Sequence, residues 1–152
     1  RAELAAVAAG EPDRVDAEAA AGVHAAEHVR RRAARRERHR DVARLAEELP
    51  AWYFEDGWIR RKFKTSGWKS TLMVVNTVGH LAEAAWHHPD LTVSYAFVTV
   101  KLVNHAAKGI TEKDFELARK IEEVVMWQPG TVEGSALEGT PDDPRFKYLK
   151  YE

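Results

Sequence analysis

The sequence predicts an α+β fold: a four-stranded antiparallel sheet with three helices packed on one face. Two observations predict it. Apolar residues recur at helical spacing in the stretches 42–49, 72–85 and 115–125. Two pairs of short β-branched and aromatic runs lie between those stretches, each pair split by only a few residues. The order is therefore helix, two strands, helix, two strands, helix, and two hairpins set among three helices bury one face of a single sheet.

The first helix of this domain carries Val42, Leu45, Ala46 and Leu49 as one stripe. Pro50 closes it, because proline lacks the N–H and clashes with the preceding turn. Strands over 52–54 and 58–63 follow, joined through Glu55-Asp56-Gly57, where an Asp-Gly step suits the tight turns of hairpins. Ser66 is the expected cap of the second helix, over 67–86, in which Leu72, Val75, Val78, Leu81, Ala82 and Ala85 keep helical register. Residues 91–95 and 97–104 are β-branched and aromatic enough to be strands. Thr111 opens the last helix, with Asp114 three residues on as an approximate capping box. Phe115, Leu117, Ala118, Ile121, Val124 and Val125 supply its buried side.

A chain of 152 residues with 45% hydrophobic content builds one sizeable core with appendages. The expected division is an Ala/Arg-rich extension over 1–40, the α+β domain over 41–127, and a turn-rich linker with an aromatic tail over 128–152. The extension has no aromatic residue to fill a core, so it is expected to be helical or disordered. Its arginines at 30, 31, 32, 35, 36, 38 and 40 read first as a solvated helix face and second as a nucleic-acid contact or protein-interaction arm. In the tail, Arg145-Phe-Lys-Tyr-Leu-Lys-Tyr is an alternating short strand candidate, and Phe146, Tyr148, Leu149 and Tyr151 make it too apolar to be wholly disordered. That strand has three destinations: a sheet edge, a neighbouring subunit, or its own domain.

Net charge is −1, so no global field draws nucleic acid or membrane. The absence of cysteine excludes disulfides, thiolate nucleophiles and Cys-ligated zinc. No apolar run has the length of a membrane span, and the first residues lack the plan of a signal peptide. The acidic Glu3, Glu11, Asp13, Asp16 and Glu18 argue against an organellar address, which leaves a cytoplasmic protein as the expectation.

The chemistry-bearing residues gather in Glu83-Ala-Ala-Trp86-His87-His88-Pro89, answered later by Tyr95, His105 and Asp114. Histidine titrates near neutral pH, so converging imidazoles supply both a general acid and a general base. That pairing suits a dehydration, in which one proton goes to a leaving hydroxyl and another is removed nearby. Glu83 precedes His87 by four residues, which on a helix puts carboxylate and imidazole on one face. Pro89 cannot continue the helix and biases His88 away from helical geometry, so the pair sits at a helix end. A metal reading with His80, Glu83, His87 and His105 is weaker, since the spacing lacks the His-Glu-x-x-His form.

These motifs, with the Leu49-Pro50-x-Trp52 opening and His105-Ala-Ala-Lys-Gly-Ile-Thr, resemble the signature of pterin-4a-carbinolamine dehydratases. That family is also known as the dimerisation cofactor of a hepatocyte nuclear factor. The resemblance runs from about residue 41 to 127. It implies a substrate, 4a-hydroxytetrahydropterin, that loses water to give quinonoid dihydropterin, with no metal or organic cofactor. His87, His88 and His105 would be catalytic. His87 and His105 would protonate the 4a-hydroxyl from opposite sides of the ring, while His88 binds the ring and assists loss of the N5 proton. Glu83 would support His87, Pro89 would fix the turn, and Trp86 is the stacking candidate among the substrate-binding residues. Asp114 would hold the start of the last helix rather than handle protons, and Tyr95 would pack at a strand end. The resemblance also implies a homodimer or homotetramer. A second reading is a non-catalytic interaction protein on the same fold, as in relatives that act as coactivators or as assembly factors for the carbon-fixing enzyme of carboxysomes. The extension or the tail would then hold a protein partner.

Overall fold

The computed structural model describes the backbone of residues 14–152 and side chains from residue 19 onward. Glu3, Glu11 and Asp13 lie outside the described residues, and Asp16 and Glu18 outside the described side chains. The chain divides into two units, one ending at Arg40 and one running from Asp41 to Glu152.

The described part of the first unit is helical. Helix α1 (Arg14–Glu48) is continuous, so the helix expected to begin near residue 42 is the end of a much longer one. Propensity explains the extra length: alanine, arginine and glutamate are strong helix formers, and no proline interrupts this stretch. Ion pairs one turn apart, such as Arg31 with Glu27, add to it. Every described side chain from 19 to 40 is exposed, so tertiary burial contributes nothing there.

The second unit has the expected order. After the last turns of α1 come β1 (Tyr53–Glu55), β2 (Trp58–Lys64), α2 (Trp68–Ala85), β3 (Asp90–Ser94), β4 (Phe97–Leu102) and α3 (Glu112–Val125). The sheet is antiparallel, in the order β1-β2-β4-β3. Two hairpins form it, and β2 pairs with β4 at its centre. The first hairpin closes through Asp56 and Gly57, whose φ values of 51° and 83° are the left-handed pair that such a turn requires. The second closes through Tyr95 and Ala96 without positive φ. It is held from outside: the Thr71 hydroxyl donates to Tyr95 O at 3.0 Å and the Thr65 N–H to Ala96 O at 2.8 Å.

One sheet face is buried. Ile59 and Phe63 of β2, with Val98, Val100 and Leu102 of β4, meet Val74 and Val78 of α2 and Phe115, Ala118 and Ile121 of α3. Leu45, Leu49 and Trp52 complete the core from the end of α1. In α2 the buried stripe is Ser70, Thr71, Val74, Val78 and Ala82, whereas Leu72 and Met73 are exposed. The expected register started one position off because hydroxyls face the core: Thr71 bonds Thr65 and the Tyr95 carbonyl, so a polar residue occupies an apolar place. Ser66 is also not the helix cap. Gly67 takes that position with no side-chain bond, and the Ser66 hydroxyl meets Ser70 at 3.0 Å instead.

α3 joins the end of α1 through four charges. The Arg44 guanidinium bonds Glu112 at 2.6 and 2.9 Å and Glu48 at 2.6 Å, while Arg119 bonds Glu48 and Glu112. Those guanidinium bonds hold the Glu112 carboxyl down at about 2.

The tail packs on its own unit. Leu149 is buried in the core, and the backbone around it pairs with the far end of β2, through Lys150 N–H to Lys64 O and Ser66 N–H to Tyr148 O. It forms one isolated bridge, Thr65 with Leu149, rather than the alternating strand expected. Pro141, Pro144 and the turn in which Asp143 accepts from the Arg145 and Phe146 N–H groups spend the preceding residues on turns.

Candidate functional site

The site lies at the end of the sheet where β3 begins and β4 ends, and where α2 stops and α3 starts. α2 stops with a left-handed residue at Trp86 (φ 49°), whose N–H bonds back to Ala82 and Glu83 carbonyls, while His87 N–H reaches Ala82 O at 3.1 Å. This is a Schellman cap, a motif that ordinarily takes glycine or asparagine at the left-handed position. Pro89 then releases the chain into β3. His87 and His88 are thus the last residues of a helix cap, fixed in the backbone but carried outside the helix.

His87 does not use the carboxylate one turn before it. Its Nε2 meets Asp114 Oδ1 at 2.7 Å, and Asp114 is fully buried. Glu83 instead pairs with His88, Oε2 to Nε2 at 2.9 Å, with both groups exposed. The expected Glu83 support of His87 is therefore replaced. The left-handed turn at Trp86 swings His87 off the helical face that the four-residue spacing assumes.

Asp114 has two tasks. Its Oδ2 accepts from the Thr111 N–H at 2.7 Å and the Thr111 hydroxyl at 3.2 Å, closing the capping box of α3. Its Oδ1 is left for His87. As a carboxylate it only accepts, so the hydrogen bond assigns the proton to His87 Nε2 and leaves Nδ1 as the unprotonated nitrogen of the neutral ring. Thr111 Oγ1 also accepts from Asn104 Nδ2 at 3.3 Å, which extends the chain of bonds to the loop after β4.

That loop carries His105. Asn104 pairs with Gly109 through both backbone groups, its Oδ1 accepts from Ala107 N–H at 3.1 Å, and Lys108 takes a left-handed φ of 54°. His105 is exposed and meets the Trp58 ring edge to face, with centroids 5.4 Å apart. Lys101 Nζ lies 5.6 Å from the centroid of the same indole. Trp58, which sequence reasoning did not place here, and Asn104 are thus the supports of His105 and its loop. The β2 to β4 register that brings Trp58 beside the end of β4 carries no local signal.

The other expected residues divide. Pro89 is half-buried at the start of β3, and Trp86 is 76% exposed with its ring edge to face against His88 at 5.4 Å. Tyr95 stands at the opposite end of β3, about 17 Å of strand away. There it is 69% exposed, with its hydroxyl 3.4 Å from where a Cβ on Gly67 would be, so it neither packs into the core as expected nor lines this site. His80, Glu83, His87 and His105 form no group able to hold a metal ion, and no such group occurs among the described residues.

A bulky aromatic in a left-handed conformation costs on the order of 1 kcal/mol, and exposure returns little of it. Trp86→Gly is therefore expected to raise stability by about 1 kcal/mol, read as a higher midpoint in urea at unchanged slope. A lower midpoint would mean the indole contributes packing that outweighs the strain.

A sequence profile of the family described as Pterin 4 alpha carbinolamine dehydratase matches residues 35–124. A protein of Aquifex aeolicus named "Putative pterin-4-alpha-carbinolamine dehydratase" is 51% identical over 85 residues, 56% of this chain and 86% of the relative. One of the same name from Chloroflexus aurantiacus is 42% identical over 86 residues, 55% of this chain and 92% of its own. Among solved structures, the transcriptional coactivator/pterin dehydratase from Brucella melitensis superposes with a TM-score of 0.51 at 28% identity, covering 55% of this chain and 90% of its own. With its α-β-β-α-β-β-α order and a profile match over more than half its length, the chain belongs to the pterin 4 alpha carbinolamine dehydratase family.

Proposed function

We propose that the domain over 41–127 dehydrates a 4a-hydroxytetrahydropterin by histidine acid–base catalysis. The observation that carries this reading is the 2.7 Å bond from His87 to a fully buried Asp114, at the sheet end that also holds His88 and His105. A buried carboxylate behind one imidazole nitrogen fixes the ring and its tautomer, which a merely solvated histidine does not need. In the proposed step, a protonated imidazole, His87 or His105, delivers its proton to the 4a-hydroxyl, and the C4a–O bond breaks with its electron pair leaving as water. The N5–H proton passes to a neutral imidazole, for which His88 is the candidate, and the nitrogen's electrons form the C4a=N5 bond. One proton enters the substrate and one leaves it, so no redox partner or cofactor takes part. Trp86, held exposed beside His88, offers a face for the flat ring.

The proposed setting is the cytoplasm, and the proposed assembly is a homodimer or homotetramer. Trp68, Leu72 and Met73 leave an exposed apolar strip on α2, and β3 is an uncovered edge strand, both of which favour self-association. No described helix is long and apolar enough to cross a membrane.

The test is a dehydration assay on freshly generated 4a-hydroxytetrahydropterin with the parent chain, His88→Ala and His105→Ala. Each substitution is expected to slow the reaction, His105→Ala by about 100-fold or more. Equal rates for all three sink the catalytic reading. They would leave a non-catalytic interaction protein, for which the fully exposed stretch 19–40 of α1 is the supporting observation.

A further inference from the structure

The first unit contains a charge distribution that the dehydratase reading does not use. Between His24 and Arg40 there are seven arginines and no lysine, against Glu27 and Glu37. On a helix turning roughly 100° per residue, Arg31, Arg32, Arg35, Arg36, Arg38 and Arg40 fall within about 200° of the surface, and both glutamates fall outside that arc. His28 and His39 lie in the middle of it. Arg32, Arg35, Arg36, His39 and Arg40 line one open groove. Arg32, Arg35, Arg36 and Arg40 have no carboxylate partner among the described residues, although both glutamates are within the same few turns.

We propose that this stripe is a docking surface for the phosphate backbone of double-stranded DNA. Four features choose that partner. Exclusive use of arginine suits planar, bidentate contact with phosphate oxygens, for which lysine is a point charge only. Residues 1–51 contain no Phe, Tyr or Trp, the broad rings on which the bases of a single strand stack best. The face opposite the stripe offers alanines with Val23, and Val29 lies within the stripe itself; residues 19–40 hold no Trp, Phe or Leu, which is too little apolar surface to enter a membrane. A lone helix about 10–12 Å across fits the major groove of B-form DNA, about 12 Å wide, whereas the major groove of duplex RNA is too narrow for it.

The test titrates the full chain into a fluorescein-labelled, mixed-sequence DNA duplex two helical turns long, read by anisotropy. Four phosphate contacts predict a log–log salt slope of about −3.6, so affinity falls about 100-fold between about 50 and 200 mM salt. Replacing Arg32, Arg35, Arg36 and Arg40 together by glutamine is expected to weaken binding at least about 10-fold and to flatten the slope. Replacing the same four by lysine keeps charge and helix propensity, so it carries the test even where the glutamine variant loses helix by circular dichroism. It is expected to keep the salt slope while binding more weakly. A lysine variant whose slope collapses, or a folded glutamine variant that binds like the parent, overturns the proposal. So does a chain that binds phosphatidylglycerol vesicles or polyglutamate but not the duplex.

Discussion

Asp114→Asn is expected to slow dehydration by about 100-fold while leaving the protein folded. The asparagine oxygen still serves the Thr111 N–H that the carboxylate now bonds at 2.7 Å, so the capping box survives in part. What changes is the other side of the group. The carboxylate atom that faces His87 Nε2 becomes an amide NH2, and two N–H donors cannot share one bond. His87 must then present an unprotonated Nε2 to the new amide and carry its hydrogen on Nδ1, which removes the basic nitrogen from the side that Asp114 left available. Loss of the charge in the first turn of α3 costs a further ~1 kcal/mol of stability, which thermal melts of both proteins read directly. The decisive comparison is with His87→Ala. If Asp114 acts by positioning His87, Asp114→Asn combined with His87→Ala is no slower than His87→Ala alone. Multiplying rate losses would show that Asp114 works on the reaction by another route, and a fully active Asp114→Asn would remove the pair from the mechanism.

The sequence showed the residues of this site but not their partnerships, and the reason is physical. Hydrophobic period and turn chemistry act over a few residues. Asp56-Gly57, the Thr111 capping box and the aromatic strands were therefore all legible, and the fold followed from their order. The Glu83 to His87 pairing rested on the same local logic and failed, because a left-handed tryptophan, which no propensity scale favours, rotates the chain between the two. The partner that His87 takes lies 27 positions later, across a hairpin, and only the packing of α3 against α2 supplies it. Trp58 and His105 meet for a similarly non-local reason, the register of β2 on β4. In α2 the hydroxyl of Thr71 displaced the apolar stripe by bonding Thr65 and a carbonyl at the second hairpin turn, so a polar residue marks the core. The dehydratase signature identified the family despite these misreadings, since a signature records which residues recur without recording what each one touches.

Glu122→Ala, although it removes no apolar core side chain, is expected to lower stability by about 3 kcal/mol. The reason lies on the buried sheet face, where β2 places a charged residue between Ile59 and Phe63. The Arg61 side chain is 8% exposed and its guanidinium is held by Glu122 at 3.0 and 3.3 Å, by the Lys62 carbonyl at 3.0 Å and by the Glu152 carbonyl at 2.8 Å. The same carboxylate accepts the indole N–H of buried Trp52 at 2.9 Å. Alanine at 122 strands a buried charge and a buried donor together. Glu122 is itself partly exposed, so water reaches the gap and the loss falls at the low end of the roughly 3–5 kcal/mol of a broken buried pair. Two further variants separate the contributions. Glu122→Gln keeps an acceptor for Trp52 and forfeits only the charge, so its loss is expected near ~1–2 kcal/mol. Arg61→Met with Glu122→Gln removes the stranded charge altogether and is expected to recover most of the parent stability, since well-packed apolar groups replace buried ion pairs at little cost. Urea midpoints at constant slope give all three values. If the double variant is no more stable than Glu122→Ala, the contribution of Arg61 comes from the Lys62 and Glu152 carbonyls it holds in place. The pinning of the C-terminal tail to β2 would then be its main task.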